Sequence, residues 1–280
     1  MNYNSLVNTI ESLPPLSNAA TMIQKLYEHG AAEVNISKLV KLIESDAVLT
    51  ANILKMINSP LYGFSRQIAS VAQAVTLFGT DMVYGLVIHY AINERMKANT
   101  DMFGVSPTIF NDICQLQSSL VTQWYSKIDT RQAQFLAPLA LIMESGKLVM
   151  AEDIIKGDYI QDFKIQYQKA KDPLAYEDSI FGTSSYFVSG MLFEHWNLEP
   201  LYVEILKALD YEQEYTTNKV QSYADTLAVI KTAINPREIL TKESVLKAAR
   251  LVDNQGFDKD YFISVALRIK KAYIENLKKR

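Results

Sequence analysis

The sequence predicts an all-α protein, a bundle of about twelve or more helices. Two observations carry this prediction. Apolar residues recur at spacings of three and four along most of the chain, and no convincing run alternates apolar with polar residues. The 280 residues include only 10 Gly and 8 Pro, about half the usual share, which argues against a turn-rich β-sandwich or barrel. Hydrophobic residues make up 49% and charged residues 21%, which supplies enough apolar surface for a packed core.

Residues 36–57 predict two helices that are separated near Ser45. Their apolar residues follow the helical spacing, and Asp46 is placed to cap the second helix because its carboxylate can accept hydrogen bonds from free backbone amides. Asn58, Ser59 and Pro60 then end that helix. Residues 61–65 predict an ordered loop whose aromatic rings pack inward.

The next predicted helix begins at Ser70, ends at Gly79 and restarts at Asp81. Pro138 is expected near the first turns of its helix, where a missing amide hydrogen costs least. The polar break at residues 99–106 is the predicted sub-domain boundary. Later helices are predicted at residues 108–128, 131–150, from Pro173 onward, 184–196, 199–209, 217–234, 242–252 and 258–277. The last of these is expected to place its apolar residues on one face: Tyr261, Phe262, Val265, Ile269, Tyr273 and Ile274.

Composition and charge argue against binding to nucleic acid, insertion in a membrane and secretion. A net charge of −3 gives no general reason to expect a nucleic acid or an acidic membrane as partner. The single cysteine, Cys114, cannot form an internal disulfide. Residues 1–13 lack the pattern of a signal peptide, and the apolar stretch 82–92 is shorter than the ~20 residues that span a bilayer. We therefore expect a cytoplasmic protein of open oligomeric state, with no nucleic-acid or membrane partner.

General catalytic motifs are missing from the sequence. It has no glycine-rich phosphate loop, no cysteine pair with zinc spacing and no Gly-x-Ser-x-Gly element. Its three histidines, His29, His89 and His195, lie at predicted helix ends or in an apolar helix, where capping or packing is their usual role. The six Lys or Arg within residues 268–280 favour an exposed helix end over contact with nucleic acid or membrane. We expect no catalytic residue, no metal ligand and no cofactor.

Three segments of the first half carry a family resemblance. They are LPPL at residues 13–16, DAVLTANILKMINSPLYG at 46–63 and IASVAQAVTLFG at 68–79. Together they resemble the HDOD domain, the HD-related output domain of bacterial signalling proteins, over about residues 13–210. The resemblance implies an all-helical fold related to the metal-dependent HD phosphohydrolases, without their activity.

The resemblance also indicates that the metal ligands are lost. An HD enzyme carries a His-Asp pair that binds the metal; here Met143 and Glu144 take those places, and a thioether cannot replace imidazole for a hard divalent ion. Other histidine positions correspond to Gln117, Ser185 and Asp210, while Lys147 persists. These six residues form the candidate degenerate pocket: Gln117, Met143, Glu144, Lys147, Ser185 and Asp210.

On this basis the sequence predicts three consecutive segments. Residues 1–100 form an N-terminal helical sub-bundle of the HDOD domain, residues 101–212 a degenerate HD-like sub-bundle, and residues 213–280 a helical extension that packs on the HD-like part.

The expected function is a non-catalytic regulatory module that binds an unknown protein of a signalling pathway. Candidate partner-binding residues are Asn58, Ser59, Tyr62 and Phe64, since exposed aromatics tend to carry interface energy; the alternative is that they pack inward and satisfy helix ends. A second hypothesis is a nucleotide sensor lined by Glu144, Lys147 and Asp210. A third is a phosphohydrolase with a rebuilt metal site.

Overall fold

A computed structural model describes residues 1–280 except 29, 64–65, 97–98, 210–216 and 280. The described residues form α-helices joined by turns and short 3₁₀ segments, and they contain no β-strand beyond one isolated bridge between Ile234 and Ile239. The all-α prediction is confirmed. The helices are α1 (Tyr3–Glu11), α2 (Asn18–Gln24), α3 (Ile36–Glu44), α4 (Ala47–Ile57), α5 (Val71–Arg95), α6 (Pro107–Trp124), α7 (Thr130–Ile142), α8 (Ser145–Lys156), α9 (Ile160–Lys169), α10 (Pro173–Phe181), α11 (Ser185–His195), α12 (Pro200–Ala208), α13 (Asn218–Ala233), α14 (Lys242–Asn254) and α15 (Lys259–Leu277).

The chain divides into two compact units, each assembled from three separate segments. Unit 1 consists of Met1–Pro15, Arg95–Cys114 and Met143–Phe257, and unit 2 of Leu16–Glu94, Gln115–Ile142 and Asp258–Arg280. These units combine segments that are distant in sequence. The division of the chain into the consecutive segments 1–100, 101–212 and 213–280 stays a prediction.

In unit 1, helix α11 packs against α8 and α12, and α1 packs against both α8 and α11. Side-chain hydrogen bonds reinforce this packing: Ser5 Oγ donates to Asp153 Oδ2 at 2.9 Å, and Trp196 Nε1 donates to the Pro14 carbonyl at 3.3 Å. An aromatic group of Phe103, Phe163 and Tyr167 fills the space beside α9. These contacts keep α8 and α11 fixed as a pair.

In unit 2, the predicted break between α3 and α4 is confirmed. The Asp46 carboxylate accepts hydrogen bonds from the backbone amides of Val48 and Leu49 at 3.0 and 2.9 Å, which begins α4 as the sequence predicts. Gly79, with φ 83° and ψ 168°, interrupts the helical backbone of α5. This conformation is essentially restricted to glycine, so the predicted end and restart of the helix there is also confirmed.

Residues 131–150 do not form the single predicted helix; α7 ends at Ile142, residues 143–144 turn, and α8 begins at Ser145. At the turn the Met143 carbonyl accepts a hydrogen bond from Ser189 Oγ at 2.7 Å. A contact distant in sequence therefore supports the break. Pro138 lies inside α7 rather than near its first turns, and its ring lies where a side chain at Gly85 would be.

Two further expectations need correction. Ile274 is 42% exposed, so it does not share the buried face of α15. Helices α1 and α9 form where no helix was assigned. Helix α1 is capped locally by a capping box of Asn2 and Ser5, a signal present in the sequence. Helix α9 buries only Phe163 and Tyr167, which is too few for a clear sequence pattern.

Two stretches, Val71–Arg95 and Thr130–Lys156, are long and apolar enough to cross a membrane by length and composition alone. Core helices of soluble proteins share these properties. The most apolar window is 56% buried within the fold for the first stretch and 89% buried for the second. Both therefore serve largely as core helices in the described part of the chain.

The segment between α4 and α5 is held by the side chain of Asn58. Its Nδ2 donates to the carbonyls of Leu54 and Ile68, and its Oδ1 accepts from the Ile68 amide, each at 2.8 Å. The side chain thus satisfies the end of α4 and pairs with Ile68 in the manner of a neighbouring strand. Ser59 Oγ accepts from the Leu61 amide at 3.4 Å at the start of the next 3₁₀ turn.

Replacing Asn58→Ala is expected to lower the free energy of unfolding by about 1–3 kcal/mol, because the partly buried amide and carbonyl of Ile68 lose their partners. The measurement is chemical denaturation followed by circular dichroism. Asn52→Ala is the matched control, since Asn52 donates only to the carbonyl of Val48 on its own helix, and we expect its effect to stay within about 0.5 kcal/mol. Equal losses for the two variants would contradict the bridging role of Asn58.

Candidate functional site

A group of ionic and polar side chains lies inside unit 1, where α8, α10 and α11 meet. Glu144 and Lys147 come from the start of α8, Glu177 from α10, and Ser185 and Tyr186 from the start of α11. All are buried, with Lys147 2% and Tyr186 3% exposed and the other three fully enclosed. We call these five residues the buried ionic cluster. It brings together three of the predicted pocket residues, Glu144, Lys147 and Ser185.

The Lys147 ammonium is the centre of the buried ionic cluster. Its Nζ lies 2.8 Å from Glu144 Oε2, 2.7 Å from Ser185 Oγ and 3.7 Å from Glu177 Oε1. It also lies 4.8 Å from the centre of the Tyr186 ring, within the range of a cation–π contact. The ammonium donates a hydrogen bond to Ser185 Oγ, and the carboxylates of Glu144 and Glu177 are its counter-ions.

In each carboxylate one oxygen faces the ammonium and the other accepts a hydrogen bond. Tyr186 OH donates to Glu144 Oε1 at 2.9 Å, and the Ser185 amide donates to Glu177 Oε2 at 2.8 Å. Glu177 thereby adds a side-chain acceptor at the beginning of α11. Buried charges are tolerated when they are paired and hydrogen-bonded, and this cluster meets both conditions.

Burial and neighbouring charges raise the pKa values of Lys147 and Tyr186 in the buried ionic cluster and of the nearby Cys114. Burial by itself would lower the pKa of Lys147, but the carboxylates of Glu144 and Glu177 outweigh it and hold the pKa well above its usual value. Burial and the Glu144 carboxylate likewise raise the pKa of the Tyr186 phenol. Burial, followed by Glu144, raises the pKa of the Cys114 thiol, so this thiol is unreactive at neutral pH.

Close approach of α8 and α11 depends on Gly146. A Cβ at this position would collide with the Ser185 carbonyl and the Ser189 amide, both backbone groups of α11. The Gly146 amide instead donates to Ser189 Oγ at 2.7 Å. Glycine is therefore required here by the approach of two backbones.

The residues present do not fit a divalent metal ion. Met143 offers a thioether, which is a soft ligand, and both oxygens of Glu144 are engaged by Lys147 and Tyr186. Over the part of the chain that the structure describes, no group of three or more His, Cys, Asp or Glu is arranged to hold a metal. We derive no metal-dependent step for this site.

The remaining predicted pocket residues are not all brought to this place. Met143 is buried in unit 1, directly before Glu144. Gln117 is buried in α6 and belongs to unit 2. Asp210 lies outside the described residues, so its place in the pocket stays a prediction.

Three of the candidate partner-binding residues, Asn58, Ser59 and Tyr62, make contacts inside unit 2. Asn58 and Ser59 make the internal hydrogen bonds described above. Tyr62 is 6% exposed, and its ring meets that of Phe78 edge to face at 5.5 Å between centroids. This placement corresponds to the packing alternative of the sequence analysis. Phe64 lies outside the described residues. A role of these four residues in partner binding stays a prediction.

Glu177, Tyr186 and Ser189 were not among the candidate residues that the sequence predicts. A signal for Glu177 exists: it precedes the fully buried Phe181 by four residues, which places the two on the same face of α10. Tyr186 directly follows Ser185 in an apolar run and looks like an ordinary core residue. Its hydroxyl becomes informative only when Glu144 is known to lie beside it.

Fold and site define an all-helical domain whose central polar cluster is closed by its own side chains. Comparison with family models gives the HDOD domain over residues 13–210. The chain belongs to the HDOD domain family, and the resemblance found in the sequence is confirmed.

Solved structures share the fold. An HDOD domain protein of unknown function from Geobacter sulfurreducens matches with a TM-score of 0.63 and 17% identity, over 98% of this chain and 95% of that one. A protein from Shewanella amazonensis SB2B, provisionally named a phosphohydrolase, matches with a TM-score of 0.67 and 16% identity, over 95% and 93%. A virulence factor from Campylobacter jejuni subsp. jejuni matches with a TM-score of 0.56 and 23% identity, over 94% and 95%. At these identities the likeness concerns the fold alone.

A curated relative is an uncharacterized protein of Treponema pallidum (strain Nichols). It is 25% identical over 97 residues, which is 35% of this chain and 18% of the relative. The chain thus matches less than a fifth of that protein's length.

Gly146→Ala is expected to destabilise the protein by about 1–3 kcal/mol or more, because α8 and α11 must separate to admit the new methyl group. The matched control is Gly157→Ala, where the added Cβ would meet the ring of Tyr159, a 47% exposed side chain that can move aside. Thermal or chemical unfolding measures both. A Gly146→Ala variant as stable as Gly157→Ala would show that the two helices are less closely packed than described.

Alkaline pH is expected to destabilise the protein through the buried ionic cluster. Lys147 and Tyr186 have raised pKa values when folded, so their stabilising contribution is present below the unfolded values of about 10.4 and about 10 and is lost as pH rises above them. Tyr186→Phe removes one of the two groups, and its free energy of unfolding should fall less steeply above pH ~10. Tyr159→Phe, at an exposed position, should retain the wild-type slope. Identical slopes for all three chains would contradict the assignment.

Proposed function

We propose that this protein is a non-catalytic regulatory module of a signalling pathway, acting in the cytoplasm through contacts with another protein. One observation carries the proposal: at the positions where the family resemblance places catalytic ligands, the chain has a closed cluster with an internal cation. Met143, Glu144 and Ser185 each have no exposed surface. A hydrolytic group must be reachable by substrate and water, and these side chains are not.

Opening the cluster would be costly. Freeing the Glu144 carboxylate means separating it from Lys147 and Tyr186 inside the core, and breaking a buried ion pair costs about 3–5 kcal/mol. The ammonium of Lys147 already supplies the positive charge that balances the carboxylates of Glu144 and Glu177. This favours a structural use of residues that a related enzyme would use for chemistry.

The nucleotide-sensor hypothesis is less well supported. It assigns a phosphate contact to Lys147, whose ammonium is already surrounded by Glu144, Ser185 and Glu177. A nucleotide would have to displace these partners. Ligand-dependent thermal stabilisation remains the direct measurement for this alternative, since a ligand that binds only the folded state raises its melting temperature.

The proposal predicts no hydrolysis of phosphate esters. Protein purified without a metal-affinity tag is assayed for metal content by plasma mass spectrometry and for turnover of bis(p-nitrophenyl) phosphate and p-nitrophenyl phosphate with added Mg²⁺, Mn²⁺ or Fe²⁺. We expect no turnover above that of the Glu144→Gln variant and less than one metal ion per chain. The control Glu152→Gln changes a carboxylate on the same helix that lies outside the cluster. Turnover that Glu144→Gln abolishes and Glu152→Gln retains would overturn the proposal.

Regulation without catalysis is tested in the host. A strain that lacks this gene is complemented with the wild-type chain or with Glu144→Gln, a near-isosteric change, and the transcript profile is compared. Equal restoration at equal protein level supports a non-catalytic role. Failure of a folded, equally abundant Glu144→Gln chain would argue for chemistry at this carboxylate.

A further inference from the structure

Helix α15 carries two apolar faces, and only one of them is used inside unit 2. On the inner face Phe262, Val265, Ala266, Ile269 and Tyr273 are buried. Phe262 meets Trp124 edge to face with 5.0 Å between ring centroids, and Tyr261 OH donates to the Gln123 carbonyl at 3.2 Å. These contacts hold the helix in place, so its outer face is a fixed surface.

The outer face has the spacing of a coiled-coil seam. Leu267, Ile274 and Leu277 are exposed to 53%, 42% and 39%, and Ile263 is half-buried. With Lys270 they follow one another at intervals of four, three, four and three residues. This is the pattern in which one helix packs along another. We call Ile263, Leu267, Lys270, Ile274 and Leu277 the outer seam.

The C-terminal half of α15, which carries most of the outer seam, is positively charged. Residues 267–279 contain five cations, Arg268, Lys270, Lys271, Lys278 and Lys279, and one anion, Glu275, which gives a net charge of +4 in a chain whose total is −3. None of these cations takes part in an ion pair within the described part of the chain. The charge is therefore free to meet an external acidic group.

The geometry favours a helix over a membrane surface as the occupant. The seam is a narrow stripe interrupted by Lys270, whereas a helix that lies in a membrane interface presents a broad apolar face. From Ile263 to Leu277 the seam runs roughly 21 Å along the helix axis, about four turns. This length suits a short amphipathic helix.

We propose that the outer seam of α15 is the docking surface for an amphipathic helix of a partner protein, with apolar residues at three- and four-residue spacing and acidic residues at its flanks. Apolar side chains of the partner pack between Leu267, Ile274 and Leu277. Its carboxylates face Lys271 and Lys278, which fix register and partner choice as flanking charges do in coiled coils. This inference deepens the proposed function, on which it rests, by naming the surface and the partner chemistry.

A designed peptide tests the surface directly. The probe is a labelled helical peptide with Leu along its seam and Glu at its flanks, titrated against the full chain by fluorescence anisotropy; the same peptide with Lys for Glu is the charge control. We expect the acidic peptide to bind at least about tenfold more tightly than the basic one. The Leu267→Ser, Ile274→Ser double variant should lose this binding. Leu246→Ser, which removes a 45% exposed leucine of α14, should retain it. Equal binding of both peptides, or an undiminished double variant, would overturn the proposal.

Photo-crosslinking in the cell identifies the occupant. Benzoylphenylalanine at position 274, with position 246 as control, is introduced into the full chain, and crosslinked peptides are sequenced by mass spectrometry. The proposal expects an acidic amphipathic segment at 274 and not at 246, with about tenfold lower yield in the Lys271→Glu, Lys278→Glu background. Crosslinks to lipid, nucleic acid, a second copy of this chain or a non-acidic segment overturn it, as does a yield at 274 no higher than at 246. The hydrolysis assay does not involve α15. A failure of the proposed function in that assay can therefore be distinguished from a failure of the docking surface in the peptide-binding and crosslinking experiments.

Discussion

The ion pairs and the hydrogen bond of the Lys147 ammonium are the contacts on which the interior of unit 1 depends. The ammonium attracts two carboxylates and a hydroxyl from three helices into a space that water does not reach. Removing it would leave Glu144 and Glu177 as buried like charges without a counter-ion, which a protein interior does not tolerate. The turn between α7 and α8, the short distance between α8 and α11, and the position of α10 all serve to enclose this one cation. The polar contacts of Lys147 thus link three helices, and the surrounding apolar residues supply most of the burial.

The sequence was sufficient to predict those features of the fold that depend on residues close together in the chain. Asp46 begins α4 by capping it with its carboxylate, and Pro173 occupies the first position of α10, where no amide hydrogen is needed. The backbone conformation of Gly79 is essentially restricted to glycine. Each of these features could be predicted from a few neighbouring residues. The break at Met143 and Glu144 could not, because residues 131–150 are apolar enough for one continuous helix and the break is supported by Ser189 from α11. The same limit applies to Glu177 in the site. Its partners lie on two other helices, so its role appears only when these helices are assembled.

The family resemblance and the structure answer different questions. The resemblance predicted the fold correctly and indicated Glu144, Lys147 and Ser185 as residues of one place. What those residues do there follows from distances alone: the basic residue and the acidic residue neutralise each other. In this chain the charged residues at these positions are paired with one another inside the helical frame of the family.

The positions in the sequence of the segments that form the two units determine the order in which these segments are synthesised. Every segment of unit 1 precedes Asp258, whereas unit 2 needs Asp258–Arg280 for completion. Trp124 of unit 2 is therefore synthesised long before Phe262, its partner from α15. Until that helix emerges, the apolar face intended for it is exposed to chaperones and to other nascent chains. Of the three segments of unit 2, the one that carries α15 is therefore the last to be synthesised.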